Sequence, residues 1–226
     1  MYALSINQGP LMTPAFDRRR SVLQQSAVLA SGVLVPAIGA GWPGFTHAQA
    51  RKRLTPSQTE GPFYPDQALQ DTDADLLKNG PSDYRSGEVT VVAGMVTDPL
   101  GQPVRGAVVE IWQCDFDGVY RHSRSSGTSA MVFQGFGKVQ AGADGEYRFR
   151  TIKPVPYPGR PAHIHFKVKL GARELLTTQM YIAGDPNNAR DFLFRRLHAE
   201  DRSLLEAPFS RGKDGWQARF DLVVAA

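Results

Sequence analysis

Cysteine is nearly missing from this chain: Cys114 stands alone among 226 residues. One thiol excludes an internal disulfide and any cysteine-rich metal site, and it reads most simply as a small buried side chain. A strong excess of one charge is missing too. The formal net charge is +4, and Arg18, Arg19 and Arg20 against Asp17 supply half of it, so residues 51–226 carry only +2. That balance gives no reason to expect nucleic acid as a partner. Long apolar runs are lacking: the weakly apolar stretch from Ser26 to Gly41 is short and interrupted by Gly and Pro, so no stable membrane insertion is expected after processing. With 22 Gly and 16 Pro, the composition favours short strands and turns over long helices. At 42% hydrophobic residues there is still material for one sizeable core.

The first fifty residues do not read as part of that core. Arg18-Arg19-Arg20-Ser21-Val22-Leu23-Gln24 resembles a twin-arginine export signal, and Ala48-Gln49-Ala50 has the small-x-small pattern of a signal-peptidase site. The expectation is a leader over 1–50, a mature start near Arg51, and a periplasmic or extracellular protein over 51–226. The twin-arginine route serves proteins that fold before export, often around a cofactor.

From Thr55 to Asp66 (TPSQTEGPFYPD) turn-formers exclude a regular element, and the polar residues 67–87 are expected to wrap the surface. Strands are predicted at Val89–Thr97, Ala107–Gln113, Tyr147–Ile152, Leu175–Ile182 and Ala218–Val224, with a short one near Lys138–Ala141. Asp185 as N-cap and Pro186 at the first position open a short amphipathic helix expected to run to about Leu197. Several short strands between turns argue for an all-β fold, an antiparallel β-sandwich with irregular loops and one short helix.

Chemistry concentrates at Tyr157–Phe166, YPGRPAHIHF. Strand alternation puts His163 and His165 on one face and Ile164 and Phe166 on the other. Two neutral imidazoles one strand step apart are half of a metal site. A bare pair of this kind also occurs as two surface histidines, but the chain has only five histidines and spends two of them here. Pro154, Pro156, Pro158 and Pro161 stiffen the approach and hold Tyr157 and Arg160 near the pair.

Together the segments TPSQTEGPFYP, GVYRH, YRFRTIKPVPYP, RPAHIHF and LLTTQMY resemble the intradiol ring-cleavage dioxygenases, the non-haem iron enzymes typified by protocatechuate 3,4-dioxygenase and catechol 1,2-dioxygenase. The resemblance covers nearly all of residues 51–226. It implies Fe(3+) as cofactor, held by Tyr120, Tyr157, His163 and His165, with Arg160 against the bound substrate and Gln179 behind it. The donor types suit that metal: ferric iron is hard and favours anionic oxygen, and a phenol that titrates near 10 needs a strong Lewis acid to ionise at neutral pH. Two phenolates steer the site away from the ferrous facial triad of two histidines and a carboxylate.

The resemblance further implies that a small aromatic diol and O2 are the partners, with ring cleavage between the hydroxylated carbons to a muconate-type diacid. Tyr157 would leave the metal and take a substrate proton, Tyr120, His163 and His165 would stay, and Arg160 would stabilise developing negative charge. There are two departures from the family pattern. The Tyr157–Arg160 spacing is shorter than in protocatechuate enzymes, and the long helical dimerisation region of catechol 1,2-dioxygenases is missing. Both leave open the ring substituents and whether the chain forms a homo-oligomer. Two other readings use some of the same residues. GMVTDPLGQPVRGAVVEIW also looks like the opening of transthyretin-like or carboxypeptidase-regulatory modules, which bind without catalysis. Cupins share the His-x-His pair, but need a nearby glutamate and a third histidine, whereas here Glu174 and His198 are the nearest that follow.

Overall fold

The computed structural model describes residues 50–125 and 132–226, so the expected leader lies outside the described residues except for its last position. The chain runs through β1 (Lys78–Asn79), β2 (Ser82–Asp83), β3 (Val89–Thr97), β4 (Val108–Trp112), β5 (Phe136–Gln140), β6 (Glu146–Ile152), β7 (His163–Leu170) and β8 (Arg173–Ile182). A 3₁₀ turn (Pro186–Arg190), α1 (Phe192–Arg195) and α2 (Ala199–Leu205) follow, then β9 (Glu206–Ala207), β10 (Phe209–Gly212), β11 (Gly215–Arg219) and β12 (Leu222–Val223). Among the described residues no helix is long and apolar enough to cross a membrane.

Two five-stranded sheets stack face to face, which bears out the all-β sandwich. In one, β3 pairs with β6 along one edge and with β11 and β12 along the other, and β10 lies outside β11. The other has the order β5-β4-β7-β8-β9. The long ladders are antiparallel, while β11 and β12 join β3, and β9 joins β8, in parallel. Alternation does what the sequence implies: Val92 and Val96 of β3 and Tyr147 and Phe149 of β6 turn inward. They meet Val109, Ile111, Ile164, Phe166, Val168 and Met180 from the second sheet.

Strand β7 is buried on both faces, and this places the site. Its Ile164–Phe166–Val168 face enters the sandwich core. Its His163–His165–Lys167 face is also buried, beneath the segment Thr55–Asp66 and the loops bearing Tyr120 and Tyr157. A second apolar cluster forms there from Trp112, Cys114, Tyr120 and Phe136, with Phe63, Tyr64 and Tyr157 packed on it. Cys114 is indeed buried and free, and burial pushes its thiol up to about 12.

Three local expectations change. Residues 67–87 do not merely wrap the surface, because Leu76, Leu77 and Tyr84 enter the main core while the β1–β2 hairpin turns outside it. The helix expected from Asp185 to Leu197 is broken at Asp191, which is extended (φ −70°, ψ 129°) and caps a new helix by accepting from the Leu193 and Phe194 amides. Capping by an Asp side chain competes with continued helix, and here it wins. The last predicted strand is interrupted at Phe220 and Asp221, where the Asp221 carboxylate accepts from the Met95 amide in place of a ladder partner.

Candidate metal centre

Register brings the site residues into rows across the outer face of the second sheet. His165 lies opposite Trp112 on β4 and Gln179 on β8, and His163 lies opposite Tyr181. The imidazoles converge, with His163 Nε2 3.1 Å from His165 Nε2, and Tyr120 Oη reaches to 3.5 Å from His163 Nε2. The Tyr157 ring stands edge-on to Tyr120 at 5.4 Å and lies 5.5 Å from His163. The side chains of all four expected ligands therefore lie together, delivered by β7, the loop after β4 and the turn before β7.

Two of these rings are oriented in different ways. His163 Nδ1 lies 2.7 Å from the Pro161 carbonyl, which fixes the proton on Nδ1 and leaves the Nε2 lone pair free. His165 Nδ1 is buried with no hydrogen-bond partner among the described residues. Beyond its Nε2 contact with His163, its ring is held by packing: Trp112 stacks on it at 4.8 Å and 10°, and a Cβ on Gly61 would stand 3.4 Å from its Cε1.

Burial, reinforced by the Arg160 charge, pushes His163 down to about 4. Burial and the neighbouring His163 hold His165 well below its ordinary value. Burial drives the Tyr120 phenol well above 10, and raises Tyr157 against the opposing pull of Arg160. The cluster without a cation is thus neutral, with His163 Nε2 turned toward both His165 Nε2 and the Tyr120 hydroxyl. That arrangement fits a metal ion that accepts nitrogen and would displace the phenol protons. Among the described residues no three of His, Cys, Asp and Glu come together, so the facial triad and the cupin set are both absent from them.

Arg160 sits beside this cluster in a fixed socket. Its Nε donates to Asp191 Oδ2 at 2.6 Å, and its Nη2 to Gln179 Oε1 at 2.6 Å and Tyr181 Oη at 3.3 Å. Burial works against the guanidinium charge, but the Asp191 carboxylate outweighs it and raises the pKa. Gln179 also donates to the Thr59 carbonyl, and Tyr181 to Gln58, so the socket reaches the N-terminal segment. Gln179 thus lies against Arg160 and accepts from its guanidinium. Asp191, Tyr181 and Gln58 were not foreseen, and only the break at Asp191 had a local signal, its ability to cap Phe192–Arg195. A hollow of about 220 Å³ opens over Tyr120 and Tyr157, lined also by Phe63, Gly118, Val119 and Arg124.

A β-sandwich that brings two imidazoles and a phenol together in this way offers a donor set for a metal ion. A family model described as dioxygenase (Dioxygenase_C) matches residues 59–226. The chain belongs to that family and is an intradiol ring-cleavage dioxygenase. It is 34% identical over 204 residues to the protocatechuate 3,4-dioxygenase beta chain of Burkholderia cepacia, covering 79% of this chain and 86% of that one. It is 37% identical to catechol 1,2-dioxygenase 1 of Acinetobacter lwoffii over 62% of this chain, but spans only 50% of that relative. Among solved structures, the dioxygenase domain of a dioxygenase carbohydrate-binding protein fusion from Streptomyces sp. SirexAA-E superposes with a TM-score of 0.59 at 30% identity. That match covers 76% of this chain and 97% of the domain. Family membership sets aside the transthyretin-like module, which accounts for the sandwich and leaves the buried donor cluster without a use.

Proposed function

We propose that the protein is a ferric dioxygenase that cleaves a catechol-type ring between its two hydroxylated carbons and adds both atoms of O2, one to each carboxyl of a muconate-type diacid. The observation that carries this is the convergence of His163 Nε2, His165 Nε2 and Tyr120 Oη beside the Tyr157 ring. These four residues would hold Fe(3+), which when bound acidifies the diol and activates it toward oxygen. Tyr157, the least buried of the four, takes up a substrate hydroxyl proton at its Oη. Tyr120, His163 and His165 stay fixed beneath, with Trp112 and Phe63 excluding water. Arg160, pinned by Asp191 and Gln179, presents a permanent charge to the negative character that develops on the ring. The hollow over Tyr120 is smaller than the ~300–1,000 Å³ of drug-sized ligand pockets, and suits one substituted ring. Export by the twin-arginine route, with cleavage after Ala50, is part of the proposal, as is a substrate met outside the cytoplasm.

The test is product analysis on iron-loaded protein under ¹⁸O2. A colourless diacid carrying both labelled atoms is expected, from a protein made burgundy by phenolate-to-iron charge transfer. A yellow semialdehyde, or a colourless zinc protein, would refute the reading. Arg160→Ala is expected to keep iron and colour while turnover drops about a hundredfold, the ~3 kcal/mol typical of losing one charge-stabilising donor.

A further inference from the structure

The segment Thr55–Asp66 lies across the site as a strap, and its attachments fall on either side of the residues that face the ligands. Glu60 is ion-paired with Lys167, whose ammonium also lies 3.4 Å from Glu174 and 4.0 Å from the Tyr64 ring centre. Four residues on, Tyr64 Oη donates to Glu110 at 2.8 Å, and Lys169 donates to the same carboxylate at 2.8 Å. Between these anchors, Gly61 turns at φ +76°, where a Cβ would stand 3.4 Å from the Cε1 edge of His165, and Phe63 stacks on Tyr120 at 4.6 Å and 11°. Beyond them, Asp66 bonds Ser123 in the loop that carries Tyr120.

Lys167 follows His165 by two residues on the same face of β7, so its side chain stands one strand step from the imidazole. A lysine only 5% exposed requires an acid nearby, and Glu174 on β8 could supply one without the strap. The pairing with Glu60 therefore does more than neutralise Lys167; it spends the charge on tethering the strap. That matters because His165 Nδ1, unlike His163 Nδ1, has no hydrogen bond to orient the ring. Besides its Nε2 contact with His163, the ring is held by what packs on it, with Trp112 on one face and the strap at the edge.

We infer that Lys167 is a positioning residue of this enzyme: by holding Glu60 it seats the strap so that Gly61 flanks the His165 ring and Phe63 covers the Tyr120 ring. The inference rests on these rings being iron ligands, as proposed above. Its consequence is that loosening the strap frees two ligands without unfolding the sandwich.

Glu60→Gln is the clean variant, because Lys167 keeps Glu174, and Tyr64→Phe removes the second anchor while keeping the ring on Trp112. In the iron-loaded full chain, each is expected to release iron to a chelator about tenfold faster, and the pair together faster still. The phenolate–iron absorption band shifts, while the unfolding midpoint of metal-free protein stays within a few degrees of the parent. Lys167→Arg should keep the parent release rate and Lys167→Met should lose it. Parent-like release and band position in both anchor variants would overturn the inference, as would faster release accompanied by a matching loss of global stability. Hydrogen exchange on metal-free protein supplies a readout independent of iron. Glu60→Gln should speed exchange at 58–66 and at 163–166, and unchanged protection there overturns the inference. If the parent takes up no iron, the proposed function falls, while the exchange measurement still decides whether the strap holds the His165 strand.

Discussion

His163 and His165 are both about 1% exposed, and burial is the main reason their protonated forms are disfavoured. In metal-free protein this couples stability to pH. The folded His163 titrates near 4 against 6.5 for a free imidazole, so on acidification the unfolded chain takes up the proton first. Its contribution is complete above pH 6.5 and is lost as pH falls from there to about 4, by ~3 kcal/mol for the interval. Urea midpoints across that window should fall with decreasing pH, and His163→Gln should flatten the slope by about one proton. Asp191 offers a second test, since it has two jobs: one oxygen caps α1 and the other holds Arg160. Asp191→Asn keeps a good cap and loses the charge, whereas Asp191→Ala loses both. Both variants should therefore slow turnover, and Ala should be less stable than Asn by ~1 kcal/mol in urea unfolding.

Strand β3 shows how one element sets the geometry of its sheet. It takes β6 along one edge, and β11 and β12 in succession along the other. The break between those two strands falls at Phe220, whose carbonyl accepts from Tyr147 Oη and presses on Gly94. A Cβ on Gly94 would stand 1.9 Å from the Phe220 carbonyl oxygen, a backbone atom that cannot swing aside. Gly94→Ala is expected to cost at least ~2 kcal/mol, measured by thermal or urea unfolding. Gly94 belongs to the sheet opposite the site, so iron binding by the folded fraction should be unchanged. The helix expected over 185–197 failed for a reason of the same kind. Its apolar spacing was adequate, but Asp191 ends one turn and begins the next, because its side chain is claimed by Arg160 and by two amides at once.

Across the molecule, the first turns of the described chain are already tied to distant parts of the fold. The Lys52 amide donates to the Pro99 carbonyl, and Thr55 exchanges hydrogen bonds with Val223. Cleavage after Ala50 would thus leave almost no free N-terminal tail. Changing Arg19 and Arg20 together to lysine should retain the protein in the cytoplasm, scored by cell fractionation, because twin arginines are read as an address. N-terminal sequencing of exported protein should begin near Arg51; a start well inside the strap would contradict both the leader and the strap.

Much of this architecture is readable along the chain, because it depends on neighbours in sequence. Strand alternation in Val89–Thr97 and Tyr147–Ile152, the turn at Asp144-Gly145 and the shared face of His163 and His165 all follow from backbone geometry over a few residues. The proposed ligand set rests on a different footing: the order and chemistry of its motifs resemble those of a family. What folding alone settles is which remote groups meet. Arg160 finds Asp191 31 positions away, and Lys167 finds Glu60 107 positions away. Leu76 and Tyr84 enter the core from a segment that is otherwise polar. No periodicity encodes such pairings. A buried charge takes whichever opposite charge the packing of two sheets brings within reach, and that choice exists only once the sheets have closed.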